Sequence, residues 1–89
     1  MNRDIAEILA LQALAFVVGD DKARNTFLTQ TGLTADEMRA AATTVDFQAG
    51  LLDFLTRHED LLVAFCESQG LDPEDPARAH HTLAPQRAD

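Results

Sequence analysis

The sequence predicts an all-α protein, a compact bundle of five to six short helices. No stretch alternates apolar and polar residues as a half-buried strand does. Ala and Leu, both strong helix formers, dominate the apolar residues. Apolar residues also recur at helical spacing between regular cap signals. The 89 residues, 46% of them hydrophobic, suit one domain. At this size net stability is expected to be about 5–8 kcal/mol. The helical domain is assigned to residues 1–84, and the polar residues 85–89 to a flexible tail.

The elements follow from their caps. A first helix runs from about Asn2 to Val18 and is expected to stop at Gly19. A short second helix follows Asp20-Asp21 and ends near Thr31, with Gly32 as its left-handed cap. Thr34-Ala-Asp-Glu37 matches the capping box and opens a third helix reaching about Ala42. Thr43 or Thr44 caps a fourth, Val45 to about Arg57. A fifth starts near His58–Asp60 and ends at Gly70. For a sixth, Asp72-Pro73 reads as N-cap and first-turn proline. Pro76 removes a further N–H, so Asp75-Pro76 is the alternative start. The five Phe residues all fall in helix-periodic stretches, and Phe16, Phe27, Phe54 and Phe65 are expected in one core.

An offset of 38 residues, the distance from Phe27 to Phe65, aligns the two halves of the chain. It places Leu14 on Leu52, Phe16 on Phe54, Gly32 on Gly70, Leu33 on Leu71 and Thr34 on Asp72. Residues 5–42 and 43–80 thus read as two pseudo-repeats of helix, short helix and helix.

The formal net charge of −8, with seven scattered basic residues, argues against nucleic acid and against anionic membrane. Much of the acidity sits where helices begin, where it caps free N–H groups and favours the helix dipole. Metal ligation needs several ligands at fixed spacing. His80 and His81 diverge by about 100° on a helix, and His58-Glu59 lacks a second His, so no metal or other cofactor is expected. Ser68, the only serine, stands in an ordinary helical segment, and the four glycines form no phosphate loop. No catalytic residue is assigned. Cys66 is alone and reads as a small buried hydrophobe. Ile5–Val18 is too short to span a bilayer, and no signal peptide is evident, which points to the cytoplasm.

One resemblance extends over most of the chain. Gln12-Ala-Leu-Ala-Phe16, Gly19-Asp20, Phe27-Leu-Thr-Gln-Thr-Gly-Leu33, Leu52-Asp-Phe-Leu55, Leu61-Leu-Val-Ala-Phe65 and Gly70-Leu-Asp-Pro73 carry it. With these motifs the chain resembles a small alphaproteobacterial family, domain-of-unknown-function family 3572. The resemblance implies an all-helical cytoplasmic bacterial protein and brings no catalytic or binding residues with it. Its motifs are mostly cap and core residues. Pro76 departs from the pattern and leaves the start of helix six open.

The repeat also singles out a surface. Where the fourth helix has Asp46, Ala49, Asp53 and Thr56, the first has Ile8, Leu11, Ala15 and Val18. These four form a continuous apolar stripe on one helix face. Either the chain's own later helices cover it, or a second copy or a partner helix does. The leading functional expectation is a non-enzymatic protein-protein interaction or regulatory adaptor module, acting through a protein partner or as a homodimer. The alternative is a small apolar-ligand binding protein, with the ligand between the two units.

Overall fold

Cap chemistry sets the helix boundaries. A computed structural model describes residues 1–84, and the expected flexible tail, 85–89, lies outside the described residues. The described residues form α1 (Arg3–Gly19), α2 (Asp21–Thr31), α3 (Ala35–Ala41), α4 (Val45–Arg57), α5 (Glu59–Gln69) and α6 (Asp75–Leu83), with no strand among them.

Asn2 caps α1 by accepting the Asp4 N–H at 2.7 Å. The helix stops at Gly19, its last residue, as expected. Asp20 makes the turn. Its N–H donates to the Phe16 carbonyl at 3.0 Å, and its carboxylate accepts the Ala23 N–H at 2.9 Å. One extended residue therefore closes α1 and opens α2 without a left-handed conformation. The capping box of α3 forms in full: the Thr34 hydroxyl accepts the Glu37 N–H, and the Glu37 carboxylate accepts the Thr34 N–H. Of the two threonines before α4, Thr44 is the cap and accepts the Phe47 N–H at 3.2 Å.

The start of α6 combines both sequence alternatives. Asp72 accepts the Glu74 N–H through Oδ1, and its own N–H donates to the Asp75 carboxylate. This makes a separate turn ahead of the helix. The helix proper begins at Asp75, with Pro76 in its first turn, where a missing N–H leaves no helical bond unmade.

Gly32 and Gly70 end α2 and α5 at φ 73° and φ 68°. A Cβ at either position is strained by the left-handed backbone, although space is open around both. Gly32→Ala and Gly70→Ala should each lower stability by about 1 kcal/mol in urea melts. A more stable variant at either site would contradict the left-handed assignment.

The helices share one core. α6 lies across α4 and α1, and α1 also packs on α4 and α2. Leu51, Leu52 and Leu55 of α4 are fully buried, as are Ala6, Ala10 and Ala13 of α1 and Ala79 of α6. The small residues let neighbouring helices approach closely. The four expected Phe residues all belong to this core, with Phe16 and Phe47 half-buried at its edge. Phe16 and Phe65 meet at 5.5 Å between ring centroids, and Phe27 meets Phe54 edge-on at 5.0 Å. Gln48 is the polar side chain in this core among the described residues. Its amide donates to the Ala42 carbonyl at 3.4 Å.

Several contacts follow the 38-residue offset. The two phenylalanine pairs exchange under it. Lys22 and Asp60, 38 positions apart, form an ion pair at 2.8 Å. The carboxylate's hydrogen bond and charge raise the Lys22 pKa, and the same hydrogen bond lowers that of Asp60. The pair therefore persists through neutral pH. It is lost as pH falls through the depressed Asp60 value or rises through the raised Lys22 value. The third helices break the correspondence. α6 packs over α1 and α4, whereas α3 touches the other helices only slightly and buries Met38.

Candidate functional site

Helix α1 is apolar on two opposite faces. Its buried face carries Ala6, Leu9, Ala10, Ala13 and Val17. At about 100° per residue, Ile8, Leu11, Ala15 and Val18 fall within an arc of about 80° on the other side. All four are exposed, with Ile8 at 58%, Leu11 at 51% and Val18 at 44%. The chain's own later helices, one of the two covers open at the sequence level, leave this stripe uncovered. They approach α1 from its alanine-rich side, where close packing is possible. The stripe is longer than expected, because Ile5 (55%) continues it towards the N-terminus. Ile5 lies three residues before Ile8, so helical spacing already connected them.

A second feature was not assigned from the sequence. A groove of about 270 Å³ runs between α2 and α4. Phe27, Leu33, Phe47 and Phe54 provide its apolar lining, and Gln30, Asp53 and Arg57 its polar rim. Gly50 leaves space on the α4 side. It has ordinary helical backbone, and a Cβ there would meet nothing within 4 Å. A mid-helix glycine costs about 0.5–1 kcal/mol relative to alanine. Neither backbone conformation nor crowding calls for one here.

His58 orders one wall of this groove. Its ring packs against Phe54, tilted by 36°, with centroids 4.5 Å apart. Nδ1 lies 2.8 Å from the Phe54 carbonyl, which can only accept, so Nδ1 carries the proton. In the neutral ring Nε2 then accepts, and the Gln30 amide N–H donates to it at 2.8 Å. The sequence placed His58 only at a helix boundary. Its contact with Gln30 joins residues 28 positions apart and has no local signature.

Other reactive groups do not assemble. Among the described residues, no three His, Cys, Asp or Glu side chains come together as a metal site. His80 and His81 lie in the last turn of α6. Cys66 is buried, as its sequence context suggested, and its Sγ lies 3.8 Å from the Asp72 carbonyl. Burial pushes the thiol pKa up, reinforced by the negative charges of Asp75 and Asp72. At neutral pH it stays protonated. A thiol reagent should therefore modify the native protein about 100-fold more slowly than the urea-unfolded chain. Equal rates would show Cys66 to be accessible.

Among the described residues no helix is long and apolar enough to cross a membrane. No curated protein and no solved structure matches the chain. A known family covers almost all of the described residues. Its model, described as "Protein of unknown function (DUF3572)", matches residues 3–86, and the chain belongs to that family.

Proposed function

We propose that this protein is a non-enzymatic interaction module, a regulatory adaptor of the bacterial cytoplasm, whose docking face is the α1 stripe of Ile8, Leu11, Ala15 and Val18. One observation carries the reading: large aliphatic side chains of a single helix stand half-exposed in a row. Leaving such side chains in water forgoes roughly 1.5–3 kcal/mol each when fully exposed. A continuous apolar row of this kind marks an interaction site.

The occupant is an amphipathic helix of another protein. On α4, Ala49 and Leu52 are buried, while their counterparts across the offset, Leu11 and Leu14, are exposed and half-buried. α6 packs on both α4 and α1, whereas its counterpart α3 packs closely on no other helix. Room therefore remains beside α1 for one more helix, inserting side chains at i, i+3, i+4 and i+7. A second copy is disfavoured, because both molecules would carry a net charge of −8. Basic residues flanking the partner's apolar stripe would complement that charge, which equally disfavours nucleic acid.

The test is the Leu11→Glu, Val18→Glu double variant in the full chain, compared with wild type by circular dichroism, sedimentation and co-purification from its native host. The variant should remain helical, cooperatively folded and monomeric, and should lose a partner that wild type retains. A folded variant with unchanged size and partners would defeat the proposal. Dissociation of a wild-type dimer would instead identify a second copy as the occupant.

A further inference from the structure

We propose that the groove between α2 and α4 binds a small, uncharged aromatic compound bearing one hydrogen-bond donor, of the indole or phenol class. No α1 residue lines this groove, so the inference stands apart from the docking face. At about 270 Å³ the groove is too small for a helix and suits one ring or two fused rings. Phe27 meets Phe47 at 5.8 Å and Phe54 at 5.0 Å, both edge-on. Phe27 and Phe54 are buried beneath the groove floor. The half-buried Phe47 is the ring that offers a surface to a ligand, which favours another aromatic system over a flexible chain.

Three further features select the ligand. Asp53 and Arg57 pair with each other at 3.0 Å, so the charged rim is internally neutralised and favours an uncharged molecule. The Gln30 amide N–H is engaged by His58, which leaves Oε1 to accept a hydrogen bond from an N–H or O–H group. Gly50 lines the groove, and a Cβ placed there meets no atom within 4 Å, so the α4 side of the groove is open.

The experiment titrates the isotopically labelled full chain with indole to millimolar concentrations and follows the amide resonances by NMR. Saturable shifts should centre on Thr31, Gly50 and Asp53. Gly50→Leu should fold and lose the Thr31 and Asp53 shifts, and Gly50→Ala should weaken binding while raising the melting temperature. N-methylindole, which lacks the donor, should bind wild type about fivefold more weakly than indole. That difference should vanish in Gln30→Ala. Absence of saturable shifts in wild type, shifts confined to the α1 stripe, or full binding by folded Gly50→Leu would each overturn the proposal. Should Gly50→Leu fail to fold, unweakened binding by Gly50→Ala would do the same.

Discussion

Phe65→Ala is expected to remove about 3–5 kcal/mol, most of a total stability of about 5–8 kcal/mol. Phe65 is fully buried on α5 and packs its ring against Phe16 on α1. Truncation would leave a ring-sized void among helices that cannot all move inward at once. Phe16→Ala removes the other ring of the pair, but that ring is half-buried and water can reach the space it leaves. Its cost should be smaller, about 1–3 kcal/mol. Urea melts followed by circular dichroism measure both. Equal losses, or a Phe65→Ala loss below about 1 kcal/mol, would mean that Phe65 is not at the centre of the core.

Val17→Glu should leave the protein largely unfolded at neutral pH, while Val18→Glu, one residue away, should shift stability by no more than about 0.5 kcal/mol. Val17 is fully buried and Val18 is 44% exposed. A carboxylate at position 17 would lose its hydration without gaining a partner, at a cost of several kcal/mol. The sign with pH follows. Burial would raise the folded-state pKa of the new glutamate, so the native state binds more protons than the unfolded chain. Stability then falls as pH rises, and the Val17→Glu variant should recover part of it as pH drops towards about 4. Thermal melts across pH give the comparison. Similar behaviour of the two variants would show that α1 does not have one covered and one open face.

This pair of neighbours also marks what could be read before folding. Helix positions were legible because their signals are local. Thr34 and Glu37 lie one turn apart, and Gly32 and Gly70 relieve a steric conflict inside their own residues. α1 stops at Gly19 as its spacing indicates, and there Asp20 supplies both the last α1 bond and the first α2 cap, so the turn needs no left-handed residue. At α6 two local signals competed, and both are used, Asp72 for a turn and Asp75-Pro76 for the helix.

The sequence by itself determined the all-helical class, most helix boundaries, the four phenylalanines of the core and the existence of an apolar stripe at Ile8, Leu11, Ala15 and Val18. Each depends on spacing within one helix or on a cap within a few residues. Only the tertiary structure decided which apolar face of α1 is covered. Both faces of α1 are apolar, and the covered one is that whose alanines permit close approach. The groove beside Gly50 and the His58–Gln30 contact were likewise beyond the sequence. They depend on how α2 lies against α4, an arrangement set by packing among all the helices rather than by any run of residues.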